Sequence, residues 1–331
     1  MNRSGSFFKM ALGGLLGIVL SWSALAEAAP FNLGDVFAAV SSGRVQHYDA
    51  AGNLIETLNT GLGGFTTGMA FDTAQNLRVT NFSGGSISTF NNQGVLQAGT
   101  CCPGSSPESI TINSAGNLIV TYVGGGVKIW NPSGVQQGAT LQPGTRFDWG
   151  DLKSDQTTLL FTQEGTRIGT LNINTGAFGP DFATGLGGDA FALRVLSNGN
   201  VLLANGNNVL LLDSTGAIIG SFDVTGEDSW FSLNLNPDGN SFWSGNFNTG
   251  NLYEFDIATG VHLNNETQTI HTGVGSNALF GVAVFGEETQ GCGTNCGGGG
   301  GGGGSIPQPA TILLLGAGLA GLAWRKILAK P

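Results

Sequence analysis

Ten side chains able to hold a ligand recur at comparable places along the chain: Phe65, Glu108, Asp148, Trp149, Asp151, Asp189, Phe191, Asp228, Trp230 and Phe280. Aromatic rings beside carboxylates can stack a sugar ring and hydrogen-bond its hydroxyls, and the same carboxylates can hold a divalent cation such as calcium through their oxygens. Taken singly, each has a plainer role, the aromatics packing between strands and the acids solvating loops; as a set they make a ligand face. Acid–base chemistry has fewer candidates. The three histidines, His47, His262 and His271, show no H-x-x-x-H spacing, so the sequence specifies neither a metal site nor a histidine base, and no cofactor is implied. Cys292 and Cys296 suit a small local disulfide loop in an oxidising compartment, while Cys101 and Cys102 can bond each other or reach that pair. Their spacing matches no usual structural zinc site.

The elements that must position the set follow from an internal repeat with a period of about 41 residues. Turns recur from Tyr48 to Gly52, Phe90 to Gly94, Trp130 to Gly134, Ile173 to Gly176, Leu212 to Gly216 and Ile257 to Gly260, their closing glycines 42, 40, 42, 40 and 44 residues apart. Asp or Asn early in the turn can bond its own backbone, and Gly accepts the positive φ that closes it. A second turn series alternates with the first, at 72–76, 113–117, 153–156, 197–200 and 236–240. Short apolar strands flank every turn, giving about four strands per repeat, the unit of a propeller blade. The first repeat, Val36 to Leu58, has room for three strands, and an orphan, Phe280 to Phe285, matches the first-strand position of the others. The expectation is an all-β, six-bladed β-propeller over residues 31–287, closed by the C-terminal strand joining the N-terminal blade. A β-sandwich or β-helix is the competing architecture, and a sandwich does not keep so regular a period. In a propeller, the loops leading into each first strand gather with the second-to-third strand loops on one face, which would collect the ten residues around the central channel.

Pro107 to Asn113, the turn Gly116-Asn117 with its following strand, and Ile129 to Gly134 resemble the blades of NHL-like and streptogramin-lyase-like propellers. That resemblance implies the fold. It also brings the alternative to a binding module, a metal-dependent enzyme of lactonase or lyase type with Glu108, Asp148 and Asp228 as ligands; fold alone does not decide between them.

Both ends of the chain carry addresses. Arg3 and Lys9 precede an apolar run from Met10 to Leu20 and the small-residue site Ala24-Leu25-Ala26, so residues 1–26 read as a secretory signal peptide cut after Ala26 by signal peptidase. At the other end, residues 288–305 form a Cys/Gly-rich linker containing eight consecutive glycines, Gly297 to Gly304, a tether of about 15 Å root-mean-square length. Residues 306–331 follow with Pro307-Gln308-Pro309, an apolar stretch over 311–323 expected as a membrane helix, and the basic residues Arg325 and Lys326. A plain membrane anchor has no need of the Pro-x-Pro. This order of parts resembles the PEP-CTERM sorting signal, with Gln308 where the family has glutamate. The resemblance implies processing by an exosortase-type membrane protease, transient anchoring in the inner membrane facing the periplasm, and delivery to the cell surface or an exopolysaccharide matrix.

Charge agrees with such an itinerary. Removing both ends leaves seven Lys and Arg against 22 Asp and Glu, a net charge of about −15. That balance excludes nucleic acid and anionic membrane surfaces as partners, because both need a basic footprint. It leaves cations and neutral glycans.

Overall fold

The computed structural model describes residues 29–263 and 269–287. Among these, 22 strands, named in chain order, form six antiparallel sheets without a helix. The first sheet contains β1 (Val36–Val40), β2 (Arg44–Tyr48) and β3 (Leu54–Asn59). The second contains β4 (Thr66–Phe71), β5 (Leu77–Asn81) and β6 (Ser86–Phe90), and the third β7 (Pro107–Ile112), β8 (Leu118–Tyr122) and β9 (Gly126–Trp130). The fourth has β10 (Gly150–Leu152), β11 (Thr158–Phe161), β12 (Arg167–Asn172) and β13 (Ala183–Thr184). The fifth has β14 (Leu193–Val195), β15 (Val201–Ala204), β16 (Val209–Leu212) and β17 (Ile218–Phe222). The sixth has β18 (Trp230–Leu235), β19 (Ser241–Asn246), β20 (Asn251–Asp256) and β21 (Ile270–His271). The last strand, β22 (Leu279–Val284), pairs antiparallel with β1, so the first sheet has the order β22-β1-β2-β3.

The innermost strands touch in a ring, β22 to β4, β7, β10, β14, β18 and back to β22. The molecule is a six-bladed β-propeller. In the second and third blades the outermost strand is reduced to isolated bridges, Ile87 to Cys101 and Phe90 to Leu96 in one, Val127 to Leu141 and Trp130 to Gln136 in the other.

Turn chemistry explains the regular strand lengths. The carboxylate of Asp49 accepts the backbone N–H of Ala51 and Asn53, and the Asn131 side chain does the same for Ser133 and Val135. Each hairpin is thus stopped by a side chain that mimics backbone, and the closing Gly52 and Gly134 have φ of 83° and 79°. Apolar clusters fill the spaces around the sheets. Phe37, Met69, Phe71, Leu77, Val79 and Phe90 pack between the first two blades, and Trp149, Trp230, Leu233, Phe242 and Phe255 form the largest cluster. Blades also meet through backbone at close range. A Cβ added to Gly68 of β4 would stand 2.5 Å from the Glu108 carbonyl oxygen, and one added to Gly281 of β22 would stand 2.1 Å from the Thr67 carbonyl oxygen.

The signal-peptide residues Ala24 and Ala26, the pair Cys292 and Cys296, the linker, Pro307, Gln308, Pro309, the apolar stretch 311–323, Arg325 and Lys326 all lie outside the described residues. No helix among the described residues is long and apolar enough to cross a membrane.

Candidate functional site

A cavity of about 230 Å³ is lined by residues near the beginnings of several innermost strands. Its walls come from two equivalent places in the blades. Phe65, Thr67, Glu108, Arg146, Phe231 and Phe280 stand at or just before the starts of first strands, whereas Phe82, Val123, Glu164 and Phe247 follow second strands. Backbone bonds hold these two sets together blade by blade: Phe82 N–H donates to the Phe65 carbonyl, Val123 to Ser106 and Phe247 to Ser229.

Irregular backbone aims the side chains inward. Strand registers shift between Thr66 and Met69, between Pro107 and Ile110, and between Trp230 and Ser232. A bulge places an extra residue on one strand and re-aims its side chain; here the residues inside the three bulges include Thr67, Glu108 and Phe231, all of which line the cavity. Ser106 and Ser229 precede two of the bulges with φ of 51° and 81°, left-handed conformations that non-glycine residues seldom adopt.

One wall is a crescent of phenylalanines. Ring centroids are 4.5 Å apart for Phe65 and Phe280, 5.5 Å for Phe280 and Phe247, 5.2 Å for Phe247 and Phe231, and 4.7 Å for Phe231 and Phe191. The opposite wall is charged. Arg146 Nε donates to both oxygens of Asp148 at 2.9 Å, and its Nη2 lies 2.6 Å from Glu164 Oε2. Beside them, Glu108 is 6% exposed and its carboxyl makes no hydrogen bond among the described residues. Burial, then the charges of Asp148 and Glu164, push the Glu108 carboxyl well above the ordinary carboxylate range; Arg146 opposes this without cancelling it. Asp148 is also raised by burial, with its Arg146 hydrogen bond pulling the other way.

Phe65, Glu108 and Phe280 of the sequence-derived set line the cavity, Asp148 supports it through Arg146, and Phe191 ends the crescent. The remaining members stand elsewhere. Trp149 and Trp230 are buried in the core, with Trp230 Nε1 donating to Asp223, and Asp189 and Asp228 are exposed away from the walls. Asp151 lies toward the far end of the inner strands, accepting from Thr111 Oγ1 and Val195 N–H near the Arg194–Glu287 ion pair. Thr67, Phe82, Val123, Arg146, Glu164, Phe231 and Phe247 were missed. Phe82, Val123 and Phe247 each directly follow a second strand, a repeat position that the alignment of blades marks.

Other reactive groups are engaged apart from the cavity. His47 is buried between Asp35, 2.9 Å from Nε2, and Glu56, 3.2 Å from Nδ1, and stacks on Phe37. His262 bridges to Phe255 and His271 bonds Asn251, so no histidine lines the cavity. Cys101 and Cys102 form a disulfide with each other. Among the described residues no group of three or more His, Cys, Asp or Glu comes together as a cation site. Of the carboxylates able to hold a cation, Asp148 is taken up by Arg146 and Asp189 and Asp228 stand apart from the cavity walls.

Residues 305–327 match the family model of the PEP-CTERM protein-sorting motif. The motif implies an exported protein processed at the membrane by exosortase. The propeller body resembles a chain in the crystal structure of a nidogen/laminin complex, with a TM-score of 0.63 at 14% identity over 77% of this chain and 99% of that one. A protein of unknown function from Bacteroides caccae is similar to the same extent, with a TM-score of 0.60 at 15% identity over 76% of this chain and 99% of that one. At such identities the likeness concerns the fold alone. No curated protein matches the chain.

Proposed function

We propose that this protein is a surface or matrix component whose propeller binds a sugar ring of an exopolysaccharide in the cavity between the phenylalanine crescent and Glu108. The observation that carries the reading is the juxtaposition of an apolar stacking wall with a buried, unpartnered carboxyl. Sugar rings offer apolar C–H faces to aromatic rings and hydroxyls to polar groups, and the cavity volume suits one ring better than a chain segment. A binding role rather than catalysis is supported by the engagement of Asp148 with Arg146 and by the distance of all three histidines from the cavity. In this reading signal peptidase removes residues 1–26, the tail is held in the inner membrane with the propeller in the periplasm, and exosortase cuts near Pro307 to Pro309 before release to the surface.

The test is co-sedimentation of the purified chain with exopolysaccharide from its host, beside Phe247→Ala. Phe247 packs tilted against Phe231 and edge-on to Phe280 in the crescent, so its loss should weaken binding by about tenfold if one aromatic face is removed from the ligand. Binding that is absent, or unchanged in Phe247→Ala, would remove the cavity from the account.

A further inference from the structure

We infer that the cavity selects a protonated amine carried on the sugar, so that the ligand is an amino sugar of a partly deacetylated polysaccharide; this rests on the proposed glycan site. The charge pattern of the walls leads to it. Among the described residues Arg146 is the one cation facing Glu108, and its guanidinium is already shared by Asp148 and Glu164. Three carboxyl groups therefore face one guanidinium, and Glu108 alone has neither hydrogen bond nor ion-pair partner among the described residues. A neutral sugar would leave that imbalance in place, and an acidic sugar would add to it. An ammonium group removes it by giving Glu108 a charge-assisted partner.

The apolar wall favours the same ligand. Phenylalanine faces are the negative ends of the ring quadrupole, and a cation held between aromatic rings and a carboxylate is attracted by both. Phe65, Phe280 and Phe247 form a continuous bend rather than a flat shelf, with interplanar angles of 35° and 64° between successive rings. The ring of an amino sugar can lie on this bend while its amine turns to Glu108. The field of the whole body points the same way, because an exported segment near −15 attracts cationic polymers.

Glu108 holds its proton more tightly than an ordinary carboxyl. An arriving ammonium stabilises the ionised form, so binding is accompanied by release of that proton to the buffer. The groups facing Glu108 are Asp148, Glu164 and Arg146, and all remain in place in Glu108→Gln, which makes the released proton specific to Glu108.

Calorimetry on the full chain in detergent tests this with two probes, a β-1,4-linked glucosamine tetrasaccharide and its N-acetylated counterpart, at a mildly acidic pH where the amine is charged. The deacetylated probe should bind about tenfold or more tightly than the acetylated one, with a heat that varies with the ionisation enthalpy of the buffer. In Glu108→Gln the preference and the buffer dependence should both vanish, with a cooperative thermal transition no lower than that of wild type showing that the variant is folded. Equal affinity for the two probes, lost in Phe247→Ala, would overturn the amine and leave the glycan site standing. A preference that survives in Glu108→Gln would also overturn it. Failure of both probes to bind would take down the glycan reading with it.

Discussion

Glu108 is held where a carboxyl is least comfortable, buried in the cavity wall near two other acids and with no hydrogen bond to its oxygens among the described residues. Its folded pKa is raised, so the folded state keeps a proton that the unfolded chain gives up at about pH 4.3. Below that pH both states are protonated and the contribution to stability is fully present. It is lost as pH rises toward and through the raised folded value, because the folded state must then either keep the proton or bury the charge. Glu108→Gln removes the titration while keeping the shape. It should therefore melt above wild type at pH near 7.5 by about 2–4 °C for each ~1 kcal/mol recovered, with the two curves converging near pH 4. Thermal unfolding followed by circular dichroism at both pH values checks this; a variant that melts lower than wild type at neutral pH would mean that the ionised form is stabilised by something else. A gain in stability on removing a charge is the behaviour of a group retained for binding rather than for folding.

At the scale of elements, the inner strands approach so closely that side chains are excluded at particular positions. Gly68→Ala would drive a methyl into the backbone of β7 beside Glu108, 2.5 Å from both the Glu108 carbonyl oxygen and the Ser109 Cα. Backbone cannot swing aside as a side chain can, so the substitution should destabilise by about 1–3 kcal/mol and shift the site. Gly165→Ala, with nothing within 4 Å of its added Cβ and no positive φ, serves as the control and should change stability little. Urea midpoints for the two variants decide it, with equal midpoints arguing against a tight blade contact. The same strands explain what the sequence could reveal. Turns were legible because Asp or Asn and Gly each have a local mechanical role, visible from Asp49 to Gly52 and again from Asn131 to Gly134. The mouth was legible only in part, because bulges are set by contacts between blades. Trp230 and Phe231 are adjacent and both aromatic, and a shift of one residue between Trp230 and Ser232 decides that Phe231 lines the cavity while Trp230 enters the core. Arg146 and Glu164 lie in loops whose pairing depends on the ring being assembled, and no local pattern announces it.

Across the whole molecule, the first blade takes its innermost strand from the far end of the chain. β22 pairs with β1 over most of its length, and just beyond it Glu287 accepts from Arg194 Nε at 2.7 Å, linking this last segment to the fifth blade. Arg194→Met should destabilise by about 3–5 kcal/mol, because Glu287 would remain buried beside Asp151 without its cation. Adding Glu287→Met should recover part of that loss, as measured by denaturant unfolding; no recovery would mean that the arginine stem, not its charge, matters. Truncation makes the stronger test of the ring. Leu279, Phe280, Val282 and Val284 are all buried, so at about 1.5–3 kcal/mol for each large apolar side chain β22 contributes on the order of 10 kcal/mol, comparable to the whole stability of a typical domain. A chain stopped after Ala278 should therefore lose its cooperative unfolding transition, while one stopped after Glu287 should retain it. A peptide covering residues 279–287, added in trans, should restore the transition to the shorter chain, since the groove it fills is lined by β1, β4 and β18. If the shorter chain melted as wild type does, blade contacts alone would hold the ring and the terminal strand would be dispensable. If it needs β22, then the propeller and the cavity that Phe280 helps to line are completed only once the segment next to the sorting signal has been exported, which ties assembly of the site to delivery of the tail.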